Sequence, residues 1–194
     1  YYGALQQGIV PQLSPIRPYR DYIAWQQEQN LSTAESFWRN QLKGFAEPTP
    51  LPAAQIGSSG HYQQQSKSLS PSLTTALKTL GQKHQLTLNT LVQGAWALLL
   101  NHYSSQNQVT YGSVVSGRPA DLSGVETMVG LFINTLPVRV DIASEQPLVD
   151  WLQDRQRQLL ELRQYESTAL TDIQRWSDLP KGSPLFESIV VFEN

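Results

Sequence analysis

The chain has 194 residues, a formal net charge of -2 and a pI of about 5.9. Its hydrophobic fraction of 40% suits one ordinary domain with a real core, and its near-balanced charge offers no electrostatic footprint for nucleic acid. It contains no cysteine, which excludes disulfides, thiolate metal sites and a cysteine nucleophile.

Residues 1–7 read as the tail of a helix, and prolines between 11 and 18 mark a loop. "YRDYIAWQQEQN" (19–30) places Tyr22, Ile23 and Trp25 in a helical pattern. "STAESFWRNQL" (32–42) opens with Ser32 three residues before Glu35, the spacing of a capping box, with Phe37, Trp38 and Leu42 as its apolar face. A Pro/Gly/Ser-rich loop covers 46–60, and the alternating "HYQQQSKSLS" (61–70) predicts a strand. Ser70 as N-cap and Pro71 at the first helical position open a helix to 85, lined by Leu73, Leu77 and Leu80.

Thr87 caps a second, more apolar helix (87–104). "QVTYGSVVSG" (108–117) reads as a strand and 118–128 as a long loop. "LFINTLPVRVDI" (131–142) is strand-like, with Leu131, Phe132 and Ile133 fixing it. An amphipathic helix (147–165) turns Leu148, Trp151, Leu152, Leu159 and Leu162 inward. A short helix (168–176) precedes a strand over 184–194, whose apolar run from 189 to 192 suits the inside of a sheet. Strands alternating with helices predict an α/β layered domain, an α+β two-layer sandwich. The longest apolar run, "AWALLL" (95–100), is far below the ~20 residues of a membrane span. No basic segment leads into an apolar one near residue 1, so a cytoplasmic protein is expected.

The chemistry is sparse. His61, His84 and His102 lack a partner at metal-ligand spacing and read as surface or helix-end residues. No nucleophile elbow, phosphate loop or dinucleotide fingerprint occurs. Two stretches stand out. "VVSGRPADLSGVE" (114–126) leaves a strand into a loop with one arginine. "MVGLFINTLPVRV" (128–140) sets Asn134 and Thr135 inside an apolar run. On pattern alone, that amide and hydroxyl are either a satisfied hydrogen bond within a sheet or the lining of a channel.

Four stretches together resemble the condensation domain of nonribosomal peptide synthetases. Tyr19, Asp21, Tyr22 and Trp25 match its Tyr-x-Asp-Tyr-x-x-Trp motif. Ser116, Gly117 and Arg118 match its Ser-Gly-Arg element. Val129, Gly130, Phe132, Asn134, Thr135 and Arg139 match its Val-Gly-x-Phe-x-Asn-Thr-x-x-x-Arg motif. "SPLFESIVVFEN" (183–194) matches its Pro-Leu-Phe element. They follow the family order over essentially the whole chain. "QYESTALTDIQ" (164–174) matches the family's late Gln-Asp-x-Pro-Phe-Glu motif poorly, and the catalytic His-His-x-x-x-Asp-Gly motif is absent. The resemblance therefore implies the C-terminal lobe, an incomplete chloramphenicol-acetyltransferase-like lobe over 1–194, truncated at both ends, with 1–18 as connector from an N-terminal lobe.

It further implies amide formation between donor and acceptor aminoacyl thioesters. Both ride on the phosphopantetheine arms of peptidyl carrier domains, with no cofactor or metal bound directly. The partners implied are those carriers, the N-terminal lobe and a neighbouring adenylation domain. The catalytic histidine is expected upstream of Tyr1, so the chain alone is expected to be inactive. Ser116, Gly117, Arg118, Gly130, Asn134 and Thr135 are expected to line the substrate tunnel, although Arg118 equally suits an ion pair with Asp121 or Glu126. Tyr19, Asp21, Tyr22, Trp25 and Arg139 are expected to be structural, with Asp21 and Trp25 holding a helix on the sheet. An epimerisation domain is the nearest alternative, but that subfamily carries Glu-Gly-His-Gly-Arg where this chain has "VVSGRP". A non-catalytic carrier-binding module is the alternative of another class.

Overall fold

A computed structural model describes residues 2–8, 15–51, 62–142 and 145–193. In chain order these form α1 (Tyr2–Gln6), α2 (Arg20–Gln27), α3 (Leu31–Gln41), α4 (Pro71–His84), α5 (Leu88–Ser104), β1 (Gln108–Val115), β2 (Asn134–Asp141), α6 (Leu148–Arg163), α7 (Leu170–Trp176) and β3 (Ile189–Val190). A single 3-10 turn covers Val125–Thr127.

The sheet is built around β1. It pairs antiparallel with β2 along its whole length, from Gln108 opposite Asp141 to Val115 opposite Asn134. On its other edge β3 runs parallel, with Gly112 opposite Ile189 and Ser113 opposite Val190. Nearer the start of β1, the Thr49 hydroxyl accepts the Thr110 N–H at 2.8 Å, so a side chain completes the edge that β3 does not reach.

Helices α5 and α6 pack on each other and on β1 and β2, while α3 and α7 pack together and α7 also reaches β2. Trp38, Val109, Tyr111, Leu136, Val138, Trp151 and Ile173 form the centre of one continuous core. Consecutive residues in the middle of both strands are buried, so both faces of the β1–β2 pair are covered, with Thr110 and Ser113 among the buried positions.

Helix starts follow local chemistry. Ser70 Oγ accepts the Leu73 N–H at 3.2 Å with Pro71 behind it, and Thr87 Oγ1 accepts the Thr90 N–H at 3.1 Å. At α3 the capping box is a correction. The cap is Asn30, whose Oδ1 accepts the N–H groups of Ser32 and Thr33 at 3.1 and 3.2 Å. Glu35, instead of reaching back, takes Arg39 one turn on at 2.7 Å. Asn30→Ala is therefore expected to destabilise by about 1 kcal/mol. Ser32→Ala should stay within about 0.5 kcal/mol, as an exposed position without a capping bond does. Thermal unfolding of the two variants separates them.

Four further expectations are corrected. The described part of the 61–70 segment forms no strand, because its alternation carries only Tyr62 and Leu69 as large apolar groups and both are exposed. His61 lies outside the described residues, as do parts of the two predicted loops. β2 begins at Asn134, and Leu131 and Ile133 are 77% and 67% exposed, so Phe132 alone anchors the approach. Leu148, the first residue of α6, points outward ahead of the first packed turn. Only Ile189–Val190 of the last segment pairs as a strand. Leu185 is buried and Phe186 packs on the core instead. Phe186 lies where a Cβ on Gly112 would sit, 2.7 Å from such an atom, so the bare glycine makes room for the ring.

Candidate functional site

Three of the four resemblance stretches meet at one end of β1. Tyr22, Leu122, Val125, Met128 and Phe132 form a second, smaller core, with Tyr19 and Trp25 packed against it. Tyr22 and Tyr19 meet Phe132 edge-on at centroid separations of 4.7 and 5.0 Å, and Trp25 stacks beyond Tyr22. The Tyr19 ring lies on Gly130, 2.1 Å from where a Cβ would be, and its hydroxyl donates to the Leu131 carbonyl at 2.5 Å. Asp21 pairs with Arg17, which also donates to the Ser123 carbonyl. Thus α2 and its flanking residues clamp the loop between β1 and β2.

Arg118 faces the same cluster. Its guanidinium sits 4.0 Å from the centre of the Phe132 ring and donates to the carbonyls of Val125 and Met128. Neither Asp121 nor Glu126 pairs with it, so the ion pair weighed from sequence is replaced by carbonyl contacts. Gly117 has φ +64°, and a Cβ there would fall 1.7 Å from the Phe132 carbonyl oxygen. Only glycine fits that turn. Arg139 stands apart on β2, where it donates to the Gln41 and Lys43 carbonyls and to Gln108 and so ties the end of α3 to the sheet.

The polarity of Asn134 has a structural reason. Its amide nitrogen donates to the carbonyls of Glu166 and Thr168 at 2.9 and 2.7 Å, and its Oδ1 accepts the Thr135 N–H at 2.9 Å. The amide thus latches the turn after α6 onto the start of β2. Neither Asn134 nor Thr135 lines the two cavities described next.

Those cavities, about 540 and 510 Å³, lie on either side of a partition. The first is bounded by Trp25, Arg118 and Asp121, the second by Asn89, Gln93, Leu159 and Phe192. Ser116, Arg163 and Glu166 line both. Glu166 is a buried acid. Burial pushes its carboxyl above the ordinary range, with the Arg163 charge and a backbone N–H from Gly117 partly offsetting that. In the second cavity Gln93 accepts from the buried Tyr111 hydroxyl at 3.0 Å, and burial raises the pKa of that phenol.

Sequence reasoning found Ser116 and missed Glu166 and Arg163. Glu166 lies where the late family motif is poorly matched, Arg163 ends α6 just before it, and a lone charge at the end of an amphipathic helix reads as solvated surface. Among the described residues no group of three or more His, Asp and Glu could hold a metal ion, and no helix is long and apolar enough to cross a membrane.

The site is thus a mixed α/β lobe in which aromatic loop motifs brace a partition between two cavities. The family profile of the condensation domain matches residues 1–194, and the chain belongs to that family. It is 51% identical over its whole length to a linear gramicidin synthase of Brevibacillus parabrevis, and 36% identical to surfactin synthase subunit 3 of Bacillus subtilis (strain 168). It spans about 4% of the length of the first of these and 15% of the second. Among solved structures, the X-domain from teicoplanin biosynthesis superposes with a TM-score of 0.74 at 24% identity, covering 97% of this chain and 45% of that one. The complex of the X-domain and OxyB gives a TM-score of 0.72 at 25% identity, over 94% of this chain and 42% of that one. The mixed α/β fold and the condensation-domain resemblance read from sequence both stand.

Proposed function

We propose that this lobe forms one wall of the site at which a nonribosomal peptide synthetase joins two carrier-bound aminoacyl groups. The acceptor amine attacks the donor thioester carbonyl, the carbon–sulfur bond breaks, and an amide and a free thiol result. The supporting observation is the partition. Ser116 stands between two cavities of similar size, so a phosphopantetheine arm from each side would bring its thioester to the same wall. Ser116 and Arg118 line the passage. Gly117, Gly130, Asn134 and Thr135 hold the turn and the strand behind it and act on substrate through position. The lobe's contribution is orientation, which can supply much of the rate for a two-substrate reaction.

The chain has no adjacent histidines. Proton transfer at the amine is therefore assigned to the N-terminal lobe, and the isolated lobe is expected to give no turnover. The donor and acceptor carriers, the N-terminal lobe and an adenylation domain are the partners in this reading, in the cytoplasm.

The test is product analysis by mass spectrometry with aminoacyl-loaded carriers, for the parent protein and for the 194-residue chain alone. An amide-linked product from the parent and none from the chain supports the reading. Inverted configuration at the donor without amide formation would assign the domain to epimerisation. Carrier binding with both thioesters left intact would make it a non-catalytic binding module.

A further inference from the structure

We propose that the Glu166 carboxylate is the subsite for a primary ammonium group, the amine end of the acceptor. The inference rests on the reading of this lobe as one wall of an amide-forming site. Its starting point is a charge without a structural task. Glu166 is 9% exposed, yet its carboxylate makes no ion pair among the described residues. Asp21, Glu35, Asp154 and Asp172 each have an arginine, and the other unpaired acids can turn to solvent, whereas Glu166 is the one buried acid among the described residues. A buried carboxylate without a counter-ion is costly, and proteins retain such groups where a ligand completes the pair.

The segment does not need the charge. Asn134 holds it through the backbone carbonyls of Glu166 and Thr168, not through the carboxylate. The Gly117 backbone N–H that faces the carboxylate could be accepted equally by a neutral amide oxygen. What only a carboxylate offers is negative charge, and it offers it on the wall shared by both cavities.

The groups facing it narrow the guest. Arg163 lies on the same wall but is exposed, so its charge is shared with solvent. Tyr22 is a further titratable neighbour and is neutral near pH 7. Arg118 and Asp121 also line the first cavity, but the Arg118 guanidinium is taken up by the Val125 and Met128 carbonyls and the Phe132 ring, and Asp121 adds a second negative charge. Ser116 adds a hydroxyl that can accept or donate. A carboxylate beside a hydroxyl suits a compact cation with several donors, which is a primary ammonium. An anion would meet repulsion from the carboxylate, and a neutral hydroxyl would leave its charge uncompensated.

The experiment is calorimetric titration of the full parent protein with two probes. One is alanyl-pantetheine in its stable amide form, with a free ammonium. The other is the same molecule N-acetylated, which has no charge. The wild type is expected to bind the ammonium probe at least ~10-fold more tightly, the effect of one charge-assisted hydrogen bond. Glu166→Gln keeps an acceptor for Gly117 and should bind both probes alike, with its unfolding temperature retained. A wild type that does not discriminate, or a Glu166→Gln protein that still does, overturns the proposal.

Binding requires no turnover, so the two readings fail separately. Ammonium preference lost in Glu166→Gln, in a parent that forms no amide, would sink the amide-forming reading and keep the subsite. Amide formation by a parent that does not discriminate between the probes would do the reverse.

Discussion

Gly117→Ala is expected to lower the unfolding temperature by roughly 5–20 °C, the largest effect of any single methyl group in the loop between β1 and β2. Two costs add. A left-handed conformation costs a residue with a Cβ about 1–2 kcal/mol. The new carbon would also sit 1.7 Å from the Phe132 carbonyl oxygen, so backbone must move, at about 1–3 kcal/mol for a tightly packed site. Together these make about 2–5 kcal/mol, at ~2–4 °C per kcal/mol for a domain of this size. Gly44→Ala is the internal control. Its φ is +71° with nothing within 4 Å of the added carbon, so only the first cost applies. Thermal unfolding of both variants isolates the contact with Phe132. Equal shifts would show that this contact does not constrain the turn.

Asn134→Ala should destabilise by about 2–4 kcal/mol, because two partly buried carbonyls lose their donor together. Asn134→Asp should be worse, since an ionised carboxylate has no proton to donate and would face both carbonyl oxygens. Hydrogen exchange should rise first between residues 164 and 170, the turn that the amide latches. Loss of turnover would accompany both variants through displacement of Glu166. An Asn134→Ala protein with unchanged unfolding temperature and lost turnover would return the residue to the substrate side of the wall.

The latch shows why the site is only half legible in the sequence. The pattern around Asn134 leaves a satisfied hydrogen bond and a channel lining both open, since each places a polar group in an apolar run. The choice depends on whether another chain segment brings its carbonyls within reach, and residues 166 and 168 are more than thirty positions away. Arg118 is ambiguous for the same reason. Two nearby acids make an ion pair plausible, but the 3-10 turn at Val125–Thr127 presents carbonyls and Phe132 presents a ring face. The Asn30 cap escapes a sequence reading because the Ser32–Glu35 spacing matches a familiar signature, while the better acceptor stands two residues earlier. The false strand after residue 61 comes from alternation without an apolar face.

Local signals alone determined a good deal: Ser70 and Thr87 as caps, the amphipathic run of α6, the β1 and β2 strands, and the four motifs whose order carries the family. These are short-range facts, set by propensity, capping and periodicity within a few residues. Tertiary structure decided which polar groups face each other. It joined α2 to the loop between β1 and β2 through Tyr19, Tyr22 and Phe132. It placed Glu166, outside every matched motif, on the wall beside Ser116. Burial and pairing at a site depend on contacts between residues far apart in sequence, and such contacts exist only once the core has brought them together.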